Sequence, residues 1–412
     1  MRKCAKSILM IMSVVALGFF TACNNDDEEV AFELKSLMAG SIDLNGATGA
    51  VNVPKDAVIT ATFSKDVDPQ TLNITLKQTY DNAEFDVTVN VNAKVVTITP
   101  AALGEGTGYT IYFNTVKSTK GDVLPTFNRS FTVAGSFVPT GQIAYWNFEN
   151  NANDQVGTWN PSANGIIGIT YTDSRKAAAG KAATFNGTTS IIEIPNADAL
   201  INTHDFTISF WVKTNSTGIT HGHFVMGLGA FYGIQFEIFG GYDGAKLAIS
   251  YNIADTATAA EDMWFPANAQ DNTNGGWQGC TYAKVITPEN MQLLLKDAWL
   301  QVVYTYNSTE KEGILYYNGE KMKSFDFDLW PDGDKKRGVV GLKYGGKEPD
   351  VVNELAFGFI QSRAGSMWDA EPWGGYDFPD ANHFKGQLDD VRFFHKALTA
   401  QEVDLMYKSE KP

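Results

Sequence analysis

Cysteine is nearly absent from this chain. Three occur in 412 residues, Cys4, Cys23 and Cys280. Cys4 lies inside an N-terminal apolar segment and Cys23 at its end, which leaves Cys280 alone, so no disulfide framework can be built. Cys280 therefore reads as an inert, partly buried thiol. Positive charge is also scarce: 32 Lys and Arg face 47 Asp and Glu, for a net charge of −15. Such a balance argues against binding nucleic acid or anionic lipid through charge. The Gly-x-Gly-x-x-Gly, P-loop and Gly-x-Ser-x-Gly patterns are missing. There are five histidines. His221 and His223 could share a strand face, but no third ligand is spaced to complete a transition-metal site with them.

What is present starts at the N-terminus. Arg2, Lys3 and Lys6 precede the apolar run Ile8 to Phe20, which is shorter than the ~20 residues needed to span a bilayer. The run ends in Phe20-Thr21-Ala22-Cys23, which resembles a bacterial lipobox with Phe20 where Leu is usual. The resemblance implies removal of residues 1–22 and acylation of Cys23; an ordinary cleaved secretory signal is the alternative. Loss of that segment removes three positive charges and no negative ones, taking the net charge from −15 to −18. Asn24-Asn25-Asp26-Asp27-Glu28-Glu29 follows and reads as a solvated tether. An acidic patch at this place resembles the surface-display signal of Bacteroidetes-type lipoproteins. On that reading the lipid anchors the protein to the outer membrane, facing the cell exterior, and the protein surface does not contact the bilayer.

Residues 34–136 alternate short strands with turn signals, the pattern of an all-β sandwich. Val58 to Phe63, Phe85 to Val91, Val95 to Thr99 and Tyr109 to Phe113 are the clearest strands. Phe63-Ser64-Lys65-Asp66-Val67-Asp68-Pro69, Thr99-Pro100-Ala101-Ala102-Leu103 and the Tyr109 strand resemble, in order, the bacterial immunoglobulin-like domains. This segment has no His, Cys or Trp, and it reads as a spacer. The uncharged Ala134 to Gly141 stretch reads as a linker.

Residues 141–410 carry a second series. Ile143 to Glu149, Gly180 to Ile194, Asp205 to Lys213, Trp299 to Tyr306, Gly313 to Lys321 and Gly386-Gln-Leu-Asp-Asp-Val-Arg392 appear in turn. The last leads into the Ala397-Leu398-Thr399 start of a short amphipathic helix. Together they resemble the laminin-G-like, concanavalin A-like jelly rolls. The fold class expected is therefore all-β, an Ig-like sandwich followed by a jelly-roll sandwich. Residues at i, i+2 and i+4 of a strand share a face. Phe206, Ile208, Phe210 and Val212 should then point one way, with Thr207, Ser209, Trp211 and Lys213 opposite.

That fold mostly holds glycans and less often cuts them, and fold alone does not fix function. The long insertions 252–298 and 326–380 exceed common loop lengths, and such loops are disproportionately functional. They hold Trp264, Trp277, Trp330, Trp368 and Trp373 among Asn, Asp, Gly and Pro, with Trp159 in an earlier loop. Arg363, Asp369, Tyr376, Asn268 and Gln278 lie in the same segments. Aromatic faces suit the C–H side of a sugar ring, and polar groups beside them suit its hydroxyls. The competing reading is that the insertions fold back and bury these rings. The ligand-binding candidates are thus Trp264, Trp277, Trp330, Arg363, Trp368, Asp369, Trp373 and Tyr376.

The resemblance also implies a structural Ca²⁺, held by the Asp389 carboxylate with carbonyls near Glu149 and Gly187. Calcium accepts such hard oxygens; the alternative is a solvated acidic edge strand. Strand alternation would send Asp389 and Asp390 to opposite faces. Glucanases of this fold present Glu-x-Asp-x-x-Glu on one strand, to set two carboxylates ~5–5.5 Å apart. No such run occurs here, and Phe236-Glu237-Ile238 offers one carboxylate alone. The expected function is non-catalytic carbohydrate binding beside neighbouring glycan-uptake proteins. A glycoside hydrolase or polysaccharide lyase, or an adhesin for a protein partner, remain the alternatives.

Overall fold

A computed structural model of the chain describes residues 30–46, 49–254, 257–266 and 279–412. Cys23 and Trp277, with Asn268 and Gln278, lie outside the described residues.

The first domain stacks two sheets. One runs, in spatial order, Ile42–Asp43, Leu34–Ala39, Ile59–Phe63, Val95–Pro100 and Val87–Asn92. The other runs Ala50–Val53, Phe127–Val133, Gly108–Lys117, Asn73–Gln78 and Glu84–Phe85. Alternation accounts for the packing: Ile59, Ala61 and Phe63 are buried while Thr60 and Thr62 between them are not. These residues meet Leu76, Ile111, Phe113 and Phe131 of the facing sheet in one apolar core.

The second domain is a larger sandwich. Its first sheet runs Thr170–Asp173, Lys181–Asn186, Lys385–Phe394, Phe206–Thr214, Leu300–Asn307, Glu312–Tyr317, Glu320–Asp326 and Cys280–Ala283, and Gln142–Trp146 also pairs with Lys385–Phe394. Its second sheet runs Ile166–Ile167, Ile191–Ile194, Leu355–Phe357, His223–Leu228, Ile234–Ile238, Ala245–Ile253 and Thr258–Phe265. Phe206, Ile208, Phe210 and Val212 all enter the core between the sheets, as alternation requires. There they pack with Phe236, Leu247, Ile249 and Phe357 of the second sheet.

Both outer faces are partly covered, and by different means. On the first sheet lies the C-terminal helix Ala400–Glu410, started by a capping box between Thr399 and Glu402. Its Val403 and Met406 pack on Val303, Tyr316 and Phe394. Trp211, on the strand face opposite the core, stacks on Tyr407 of this helix and donates to the Glu410 carboxylate at 2.9 Å. Among the described residues, the second sheet is covered on one half only, by the segment between Phe357 and Lys385. Gly227 makes that cover possible: a Cβ there would meet the Ile360 carbonyl oxygen at 1.8 Å, so backbone lies directly on the strand. Phe359, Ile360, Trp368 and Ala381 of the segment then bury themselves against Ile191, Phe224, Ala230 and Ala356.

Candidate functional site

The half of the second sheet's outer face that the described residues leave open spans four strands, His223–Leu228, Ile234–Ile238, Ala245–Ile253 and Thr258–Phe265. Register aligns Phe224, Glu237, Lys246 and Trp264 in one row across it, and Gly227, Gln235, Ala248 and Asp262 in the next. Because side chains alternate, the core partners Phe236, Leu247 and Met263 point inward while these rows point out. Gln235 Nε2 donates to Glu237 Oε2 at 2.5 Å, and Lys246 Nζ lies 3.4 Å from the same oxygen. Lys246 also sits over the Trp264 ring, 5.6 Å from its centroid.

Aromatic walls flank this polar floor. Trp264, 47% exposed, leans on Phe239 from the edge strand. Its backbone is fixed from below by Lys323, whose ammonium donates to the Trp264 carbonyl at 3.0 Å; burial draws that amine down to about 8. Across the floor, Phe231 and Trp373 stand 39% and 40% exposed. Trp368 supports Phe231 from a buried position, edge-on at 6.0 Å, and Phe224 supports Trp373 in the same way at 6.0 Å. Between the Phe231–Trp373 wall and the floor is a cavity of about 310 Å³ that Glu237, Lys246 and Asn382 also line.

A second cavity, about 480 Å³, opens on the far flank of the same insertion, among Gln361, Arg363, Asp369, Tyr376 and Phe378. Arg363 is positioned by Glu193, which takes its Nε at 3.1 Å and its Nη2 at 2.6 Å. That hydrogen bond raises the guanidinium's pKa above its ordinary value. Tyr376 donates to the Thr189 carbonyl at 2.5 Å, and burial raises its pKa.

The insertion thus sets Trp368 and Trp373 on the groove, with Trp264 across the floor, and Arg363, Asp369 and Tyr376 around the second cavity. Trp330 does not join them. It is 4% exposed within the main core, 4.7 Å from the Phe327 ring, because the short helix Phe327–Leu329 folds its chain back under the sheet. Trp159 is half-buried, its carbonyl accepting from Trp146 Nε1 at 3.1 Å. Gln235, Lys246, Phe231 and Gln361 are not among the residues the sequence singles out, and Glu237 stands there only as a lone carboxylate. A signal for Gln235, Glu237 and Lys246 existed: polar residues alternating with apolar ones in Ile234-Gln-Phe-Glu-Ile238, and a Lys in the next strand.

Asp389, Glu149 and Gly187 do not fit the calcium expected of them. A β-bulge opposite Phe210 shifts the register between Ser209 and Trp211, and Asp390 takes φ +46° there. The bulge cancels the alternation, so Asp389 and Asp390 face the same cation. That cation is Arg175: its Nη1 lies 2.7 Å from Asp389 and its Nη2 bonds Asp390. Ser174 donates to Asp389 as well. The Glu149 carbonyl accepts from Asn151 Nδ2 at 2.8 Å, and its carboxylate accepts from the Lys181 amide at 3.0 Å. Gly187 follows Asn186, which pairs with Lys385, four residues along the strand from Asp389; at ~3.3 Å per residue that is roughly 13 Å. Among the described residues, no group of three or more His, Cys, Asp or Glu is arranged to hold a metal.

The same seam holds Arg392 against Glu410 and, at 3.4 Å, Asp390. Three carboxylates here share two guanidiniums. Burial, then the neighbouring Asp390 charge, push Asp389 up, while Arg392 and Arg175 hold Asp390 down against the effect of burial. His223 is likewise no ligand: its Nε2 meets the Tyr242 hydroxyl at 2.9 Å and its Nδ1 accepts from the Lys385 amide at 3.3 Å.

Comparisons agree with this architecture. Residues 42–133 match the family model of a bacterial Ig-like domain, and residues 186–350 match that of the concanavalin A-like lectin/glucanases superfamily. The second domain is a concanavalin A-like sandwich. No curated protein matches the chain. Solved structures resemble it loosely. The botulinum neurotoxin type G receptor binding domain is 14% identical at a TM-score of 0.37, covering 65% of this chain and 51% of that one. The binding domain of Paraclostridial Mosquitocidal Protein 1 is 16% identical at 0.40, covering 65% and 52%. The botulinum neurotoxin serotype D ligand binding domain in complex with N-acetylneuraminic acid is 13% identical at 0.39, covering 66% and 51%. The chain spans about half the length of these structures, and at such TM-scores they carry no argument about what it binds.

Proposed function

We propose that the protein is a surface lipoprotein that binds carbohydrate without cutting it, through the outer face of its concanavalin A-like domain. The first domain serves as a spacer between that face and a lipid on Cys23. One observation carries the reading. Exposed Trp264 and the Phe231–Trp373 pair flank a floor of Gln235, Glu237 and Lys246. Such walls offer stacking faces to sugar rings, and the floor offers both donors and acceptors to their hydroxyls. Binding without hydrolysis is favoured because Glu237, the carboxylate at the centre of the floor, is already bonded by Gln235 and beside Lys246. A retaining hydrolase needs a second carboxylate ~5–5.5 Å away, with one of the two free to take a proton.

Calcium has no part in this reading, because the Asp389 carboxylate is committed to Arg175 and Ser174. Neighbouring glycan-uptake proteins are the partners such a binder would serve. The test is retardation of the purified protein in gels cast with plant, host and microbial polysaccharides, run with and without EDTA. Retardation by a polysaccharide in both conditions, with no sugar released, supports the proposal. Mass spectrometry of the protein from cell envelopes tests the anchor: Cys23 should carry diacylglycerol, and Cys23→Ala should release the chain from the membrane.

A further inference from the structure

The cavity on the insertion's far flank differs from the groove in one respect: its side-chain donors are nearly spent. Ser362 donates to Glu354, Tyr376 to the Thr189 carbonyl, and Gln361 Nε2 to the Gly365 carbonyl at 3.2 Å. Arg363 gives Nε and Nη2 to Glu193, and Nη2 also reaches the Asn164 carbonyl at 3.1 Å. Among the described side chains of the lining, Arg363 Nη1 and one hydrogen of Gln361 Nε2 remain, and Glu193 neutralises the guanidinium charge. The acceptors, by contrast, are idle. Asp369 and Asp377 line the cavity exposed, and neither carboxylate bonds a described residue. Gln361, 3% exposed, has an Oε1 with no donor among the described residues. Phe378, 40% exposed, and Tyr376 supply ring faces beside these acceptors.

We infer that this cavity is a second saccharide subsite, one that takes a neutral sugar ring through its hydroxyl donors and rejects carboxylated sugars. The inference rests on the carbohydrate reading above. Two unpaired carboxylates accept hydrogen bonds from vicinal hydroxyls, and charged acceptors make the stronger bonds. The same pair repels a uronate or other acidic sugar, and the one cation in the described lining, Arg363, is already paired with Glu193. The chain's net charge of −15 adds to that exclusion at long range. The groove is less selective, because its floor holds Lys246 beside Glu237.

Calorimetric titration of the full-length protein tests this. The probes are neutral glucans, mannans and galactans, each beside its derivative with the primary hydroxyls oxidised to carboxylates. The neutral form should bind at least tenfold tighter than its oxidised partner, with EDTA making no difference. Asp369→Asn with Asp377→Asn, near-isosteric changes at exposed positions, should narrow that ratio below about threefold. Trp264→Ala should weaken both forms together and leave the ratio unchanged. An oxidised glycan bound as tightly as its parent, or a ratio indifferent to the Asn pair, overturns the charge-selective subsite while the carbohydrate reading stands. If EDTA abolishes binding, a cation mediates the contact and the direct-acceptor proposal falls. Failure to bind any neutral or oxidised glycan overturns both readings.

Discussion

Replacing Arg175 by Met should unsettle the concanavalin A-like domain more than any loss of metal could. The side chain is 2% exposed, bridges Asp389 and Asp390, and lies 4.7 Å over the Trp211 ring. Removing one partner of a buried ion pair leaves the other charge unsolvated, which costs about 3–5 kcal/mol. For a domain of this size each kcal/mol moves the melting temperature by roughly 2–4 °C, so a fall of about 6–20 °C is expected. Tryptophan fluorescence is the assay, because the first domain has no Trp and the signal belongs to the second alone. Adding Asp390→Asn should restore part of the loss, since Asp390 is the carboxylate that the guanidiniums hold charged. EDTA should leave the wild-type melt where it is. A Met variant that melts within about 2 °C of wild type would refute the reasoning. So would an EDTA-sensitive wild type, which would restore the metal to this seam.

Trp330→Ala should cost about 3–5 kcal/mol of stability, as deletion of a buried aromatic does, while glycan affinity per folded molecule stays unchanged; titration of the variant at low temperature checks this. His223 gives a pH dependence of definite sign. Burial holds its imidazole neutral, with its pKa drawn down from 6.5 to about 4. The unfolded chain therefore binds the extra proton first, so the stabilisation is full above pH 6.5 and is lost as pH falls toward 4. The loss is at most ~3 kcal/mol, and urea midpoints for wild type and His223→Gln should converge over that window. Glu237→Gln should lower glycan affinity by about 1–2 kcal/mol, roughly five- to thirtyfold, without altering the melt, since the residue faces the groove.

Much of the fold could be read from the residues, because alternation is a local signal. Phe206, Ile208, Phe210 and Val212 declare a core face without reference to anything distant, and they occupy one. Where that logic failed, a non-local event intervened. The bulge that puts Asp389 and Asp390 on one side depends on the strand paired with them and on Arg175, 214 residues earlier. Trp330 has the polar neighbours of a surface residue, yet a turn of 3₁₀ helix carries it into the core. The site divides in the same way. Insertion residues such as Trp373 and Asp369 stood out by composition. The floor of Gln235, Glu237 and Lys246 is visible only once the register of three strands is known.

Trp264 and Trp373 are the exposed aromatic walls of the face we propose holds glycan. The measurement that tests that proposal most directly is affinity-gel retardation of wild type against Trp264→Ala and Trp373→Ala, with the gel eluate assayed for reducing sugar. The account predicts retardation of wild type by at least one polysaccharide, loss of about 1–2 kcal/mol of affinity in each variant, and no reducing sugar released. Retardation that survives both substitutions, or oligosaccharide appearing in the eluate, would contradict it.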